Sequence, residues 1–233
     1  MVETIFFTGI CPVFSGVLGV PHGFLFKEKA VKGDRMDLLS HPLAYGFLQQ
    51  IVGRPGSRDL FTQRYLCPVP GERLLDLGCG LGDLVDYLPP LDYWGLDSCQ
   101  RYIDFAKKKF GARAKFINAD LCQSPWPVQG LFDRAAASGV LHHLSDDQGI
   151  AVLRNTRRVL KPGAKLITLD GCYEDRQSPI ARTLLSMDRG KFVRDEKGYL
   201  ALARSAFNKV SARMERGFLR VPYSHLIMEM TAD

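Results

Sequence analysis

The run Leu74-Leu75-Asp76-Leu77-Gly78-Cys79-Gly80-Leu81-Gly82-Asp83 constrains this chain more than any other stretch. A short apolar segment enters glycines at alternate positions, and a helical pattern follows. Glycine tolerates left-handed backbone, so such a run turns a strand sharply and brings bare main chain against a ligand at a helix start. The spacing is Gly-x-Gly-x-Gly, and Asp83 stands where a dinucleotide fingerprint wants Gly or Ala. A carboxylate at Asp76, in the mouth of the loop, repels a pyrophosphate and suits a cationic ligand.

Around the loop, short apolar runs at 73–77, 93–96, 114–117, 132–137 and 165–169 alternate with helical patterns at 81–88, 98–110, 145–160 and 176–188. Helical spacing at 41–52 and 57–66 precedes them. Alternation of this kind predicts right-handed crossovers and a parallel sheet covered on both faces. Lys161-Pro162-Gly163 reads as a helix stop before the fifth strand. In the tail, 198–207 is helical, and 209–215 and 224–231 alternate as strands of an antiparallel hairpin. Residues 36–233 are expected to form one domain. Residues 1–35 read as an apolar extension: 4–26 carry no formal charge, but glycines, Pro12 and Pro21 break up any spanning helix, and Glu3 sits where a signal peptide wants positive charge.

Acidic residues close the first three strands. Asp97 ends the second, placed to accept hydrogen bonds from ribose hydroxyls. Asp120 follows the third, placed to accept from an adenine amino group. Ligands of open α/β sheets bind at those carboxyl ends.

On these residues the chain resembles a class I S-adenosylmethionine-dependent methyltransferase over 40–231. The matching pieces are Leu74–Gly82, Gly95-Leu96-Asp97, Asn118-Ala119-Asp120, Phe132-Asp133 with Gly139-Val140-Leu141-His142-His143-Leu144, and Leu160-Lys161-Pro162-Gly163. The resemblance implies a doubly wound, Rossmann-like sheet of seven strands, order 3-2-1-4-5-7-6, with the last strand antiparallel. It implies S-adenosylmethionine as cofactor. Gly78, Gly80 and Gly82 would lie against its methionine part and Asp76 near its ammonium. Asp97 would hold the ribose, with Ser98 next to it also binding the cofactor, and Asp120 the adenine amino group with Leu121 beside it. Ser138 and Gly139 would pass close by, and Tyr45 would close over the cofactor. Arg134 departs from the pattern, since this strand usually carries an apolar residue there.

The reaction expected is methyl transfer to a small polar metabolite, with oxygen slightly favoured over nitrogen as acceptor. An oxygen of high pKa needs a base. His142 is the candidate, pocket-facing, with His143 packed beside it. Tyr173 and the cations Arg176, Arg182, Arg189, Lys191 and Arg194 would border an acceptor, whose own charge would then be negative. The alternatives are a nicotinamide-dependent oxidoreductase, opposed by the glycine spacing and Asp76, and a non-catalytic cofactor-binding partner protein.

The net charge is +6, and residues 172–233 supply half of it. No basic block announces nucleic acid; Lys107-Lys108-Lys109 reads as a solvated helix face. Six cysteines without a Cys-x-x-Cys pair give no zinc pattern and fit a reduced, cytoplasmic compartment. Neither a membrane nor a nucleic acid is expected as partner.

Overall fold

The computed structural model describes residues 54–186 and 190–233. The expected extension at 1–35, the helical pattern at 41–52 and Tyr45 lie outside them.

The chain enters through α1 (Ser57–Phe61), which runs into a π-helical turn over Thr62–Leu66. Then follow β1 (Arg73–Leu77), β2 (Asp92–Asp97), α2 (Gln100–Phe110), β3 (Lys115–Asn118), β4 (Phe132–Ser138) and α3 (Asp146–Val159). The remainder is β5 (Leu160–Tyr173), α4 (Pro179–Ser186), β6 (Arg194–Asp195), α5 (Glu196–Arg204), β7 (Lys209–Arg216) and β8 (Ser224–Thr231). The sheet order is β3-β2-β1-β4-β5-β8-β7, with the two-residue β6 added beside the end of β5. Apart from β6, this is the seven-strand order expected. Strands β1 to β5 pair in parallel, while β8 runs antiparallel to both β5 and β7.

Strand alternation sends alternate residues to two cores. Leu75, Leu77, Ala135, Leu166 and Met228 pack with Val152 and Leu153 of α3 and Tyr199 and Leu202 of α5. On the other face Leu74, Ala136, Ile167 and Ile227 pack with Phe61 of α1 and with Ile103, Ala106 and Phe110 of α2. The start of α3 is fixed by a capping box between Ser145 and Gln148. No helix among the described residues is long and apolar enough to cross a membrane.

Two elements differ from expectation. The helix predicted over 81–88 is a five-residue 3-10 turn, Asp83–Tyr87. Gly82 is left-handed at φ 74°, and Leu88, which precedes Pro89, is extended, so only one short turn fits between them. Strand β5 begins five residues before the predicted start. Leu160 pairs with Phe132, and Gly163 and Ala164 exchange backbone hydrogen bonds with Ala232, so the chain stays extended through Lys161-Pro162-Gly163. Arg134 is accommodated by a two-pronged pair with Glu72, both contacts at 3.0 Å.

Candidate active site

The carboxyl ends of β1, β2, β4 and β5 lie side by side. The glycine loop leaves β1 with Gly78, Gly80 and Gly82 at φ 67°, 54° and 74°, values that a side chain strains to reach. Its return is fixed from β2, where the Leu96 carbonyl accepts from the N–H groups of Gly78 (2.8 Å) and Cys79 (3.0 Å). The glycine spacing predicts this loop at a helix N-terminus, but the turn that follows is too short to supply a helix dipole. What the loop offers is bare backbone and the acids around it.

Asp97 is fully buried and ties two loops together. Its Oδ2 accepts from Gly80 N–H at 2.9 Å and its Oδ1 from Cys99 N–H at 2.7 Å. Asp76 is also buried and accepts a 2.5 Å hydrogen bond from the Tyr93 hydroxyl. Burial pushes Asp76 up to about 7 against that hydrogen bond. Burial likewise lifts Asp97 to about 7, despite its two N–H donors. Among the described residues no Lys or Arg pairs with either acid. Buried carboxylates without a cation are unstable as anions, and a cationic ligand beside them restores ionisation.

The other expected residues line the same rim. The Ser98 hydroxyl is buried without a hydrogen-bond partner among the described residues. Asp120 is half-buried, and its Oδ1 accepts from Cys122 N–H at 2.9 Å. Leu121 is buried, with its carbonyl held by the Trp126 indole N–H at 3.1 Å. Ser138 is exposed at the end of β4, and Gly139 turns the chain at φ 71°. Asp83, in contrast, points to the surface and pairs with Arg58 and Lys109.

At the neighbouring strand ends, His142 and His143 sit on a 3-10 turn, Leu141–His143, with their rings 4.1 Å apart. This reverses the expected burial: His142, expected to face the pocket, is buried with its Nε2 inaccessible, and His143, expected to be packed, is half-buried, because the chain around Gly190 and Phe192 covers the His142 turn. Its Nδ1 lies 2.8 Å from Oδ1 of Asp170, and the same oxygen accepts the His142 backbone N–H at 3.1 Å. A carboxylate only accepts, so in this pair Nδ1 is the donor. Asp170 is almost inaccessible, and its Oδ2 has no hydrogen-bond partner among the described residues.

Sequence reasoning missed Asp170, Tyr93 and the role of Arg194. Asp170 was findable as one more acidic residue at the carboxyl end of a strand. Tyr93 carries no such signal, because its hydroxyl reaches Asp76 only through the β1–β2 register. Arg194, expected among the cations that border an acceptor, has its guanidinium occupied by backbone carbonyls and Asp146.

A family model described as "Methyltransferase domain" matches residues 74–163, which run from the glycine loop to the Lys-Pro-Gly turn. An O-methyltransferase of Pyrenophora dematioidea is 30% identical, over 71% of this chain and 71% of that protein. This chain belongs to the S-adenosylmethionine-dependent methyltransferases. The fold agrees. The apo S-adenosylmethionine-dependent methyltransferase SibL superposes with a TM-score of 0.64 at 18% identity, over 82% of this chain and 57% of that one. Human N-acetylserotonin methyltransferase in complex with S-adenosylmethionine gives 0.61 at 17% identity, over 82% and 55%. The present methyltransferase thus spans little more than half of each of those two chains. Its cofactor is S-adenosylmethionine, and the uncompensated acids at β1 and β2 suit that molecule's positive charges.

Proposed function

We propose that this methyltransferase methylates a hydroxyl oxygen of a small polar molecule, with His142 as the general base and Asp170 holding its imidazole. The observation that carries this reading is the buried 2.8 Å contact between His142 Nδ1 and Asp170 at adjacent strand ends. It supports a tautomer with Nε2 as the proton acceptor, in which the carboxylate would stabilise the imidazolium once the hydroxyl proton arrives. The relative from Pyrenophora dematioidea, itself named an O-methyltransferase, supports the choice of oxygen.

In this reading Asp76, Gly78, Gly80 and Gly82 take the methionine part of the cofactor. Asp97 takes the ribose, Ser98 touches the cofactor beside it, Asp120 and Leu121 take the adenine, and Ser138 and Gly139 pass close to the cofactor. Tyr45 keeps its proposed place over the cofactor. The cofactor supplies an already activated methyl group on sulfonium. The protein therefore contributes alignment and one proton acceptor, and alignment carries much of the rate. Arg176 and Arg182 favour an acceptor with negative charge; Arg182 stacks over the Tyr173 ring at 5.5 Å. A metabolite-sized acceptor rather than nucleic acid or a membrane fits the modest, dispersed positive charge, and a cytoplasmic setting fits the cysteine pattern.

The test is a screen of matched hydroxyl and amine acceptors, detecting S-adenosylhomocysteine release. Oxygen acceptors are expected to be turned over. His142→Gln is expected to lower that turnover by about 100- to 10,000-fold, the range removed with a general base, while S-adenosylmethionine affinity stays within about twofold. Full activity in His142→Gln, or turnover of amines alone, would discard the reading.

A further inference from the structure

The segment Gly190–Arg194, between α4 and α5, lies directly on the turn that carries His142. Phe192 N–H donates to the His142 carbonyl at 3.0 Å. Arg194 grips both ends of the turn. Its Nη1 donates to the carbonyls of Leu141 (3.1 Å) and Phe192 (2.8 Å), and its Nη2 to the Leu144 carbonyl (2.7 Å) and Asp146 (2.7 Å). Nε completes the fork on Asp146 at 3.0 Å. Arg194 is 11% exposed and Asp146 77%. The Asp146 contact is therefore a solvent-screened pair of small worth, and the carbonyl contacts do the holding.

The grip also reaches the strand that carries Asp170. The guanidinium lies over the Tyr199 ring at 5.7 Å, and the Tyr199 hydroxyl donates to the Gly171 carbonyl at 2.9 Å. Arg194 and Asp195 pair with Cys172 and Tyr173 at the end of β5. One arginine thus touches the turn bearing the imidazole and the strand bearing its carboxylate. At the other end of the segment, a Cβ built on Gly190 would stand 2.1 Å from His142 Cδ2 and 2.7 Å from the His142 carbonyl oxygen. Any side chain there moves the ring.

We propose that Gly190–Arg194 is a strap that orients the His142 imidazole, with Arg194 as the positioning residue and Gly190 as the contact that admits the ring. The proposal rests on His142 being the base, as read above. A fork of five donors is needed to span several acceptors at once. Lysine offers one point charge and cannot replace it.

The experiment uses full-length protein with labelled histidine and S-adenosylhomocysteine as the probe ligand. Imidazole nitrogen NMR reads the tautomer of His142, and calorimetry reads cofactor affinity. In the unaltered protein the Nδ1-protonated tautomer is expected alone. Arg194→Lys and Gly190→Ala are each expected to move the His142 signals toward a mixture of tautomers and to leave S-adenosylhomocysteine affinity within about twofold. With an acceptor from the screen, kcat is expected to fall by up to about 100-fold, the cost of misplacing a reacting group by about 1 Å, at unchanged KM for S-adenosylmethionine. A purely structural arginine would lower thermal stability without changing the tautomer, and unaltered His142 signals in both variants would overturn the proposal. Arg194→Ala supplies a further check, since added guanidinium is expected to restore the tautomer. If His142→Gln proves fully active, the base reading falls while the NMR result still decides whether the strap orients the ring.

Discussion

At the amino-terminal edge of the sheet, Asp92 lies 2.8 Å from Lys115 and 2.9 Å from Arg73, Asp133 lies 2.6 Å from Lys161, and Glu72 receives Arg134. Burial pushes each of these acids upward. The hydrogen bonds from their cations outweigh it, holding Asp92 at about 2 and Asp133 and Glu72 below their usual range. At the carboxyl-terminal edge Asp76 and Asp97 meet, among the described residues, only a tyrosine hydroxyl and backbone N–H groups, and burial lifts both to about 7. One edge is electrically complete as folded. At the other, no Lys or Arg among the described residues pairs with Asp76 or Asp97, and a ligand that carries positive charge suits such an edge.

The contrast is broken most sharply at Asp97. Replacement by Asn deprives the Gly80 and Cys99 N–H groups of a charged acceptor and removes the charge facing the ligand. S-Adenosylmethionine is expected to bind about 100-fold more weakly by calorimetry, since hydrogen bonds to charged groups contribute about 1.5–3 kcal/mol. An affinity within twofold of the unaltered protein would dissociate this acid from the cofactor.

pH sharpens the same contrast. Burial places both Asp76 and Asp97 near 7, and a cationic ligand selects their ionised form. Affinity is therefore expected to be flat above about pH 8. Below about pH 7 it should fall by up to tenfold per pH unit for each carboxylate that must ionise. Binding at pH 6 should release protons, visible as a dependence of the calorimetric heat on buffer ionisation enthalpy. Proton uptake on binding would contradict the assignment.

The smallest effect belongs to the lower edge. Glu72→Gln leaves Arg134 half-buried beside a neutral amide and is expected to cost about 1–3 kcal/mol. That is a fall of several degrees in Tm for a domain this size, with cofactor affinity unchanged. A loss of affinity there would show that the two edges are not independent.

Much of this organisation was legible in the sequence where local pattern and tertiary need coincide. Strand β1 at 73–77 and strand β8 at 224–231 fall where the apolar runs put them, and the glycine loop, Asp76 and Asp97 converge at one rim. Legibility failed where distant partners decide. The 3-10 turn after Gly82 results from a left-handed glycine and a proline competing over five residues. Strand β5 extends because Phe132 and Ala232 pair with its early residues. Arg194 looked like an acceptor-binding cation because its carbonyl partners on Leu141 and Leu144 lie some fifty residues upstream. Nothing in the local sequence around Gly190 says that its neighbour in space is an imidazole.

Strand β5 joins β4 in parallel on one side and β8 in antiparallel on the other. During synthesis from the amino terminus, β1 to β4 and their loops emerge first, so the cofactor rim has all its strands once residue 138 is made. Asp170, the strap and Arg194 follow, but the free side of β5 stays open until residues 224–231 emerge and pair with it. Ribosome-bound chains halted before that hairpin would present an exposed strand edge, a surface that invites misassociation. The antiparallel strand that completes the sheet thus also shields an edge that the growing chain would otherwise leave open.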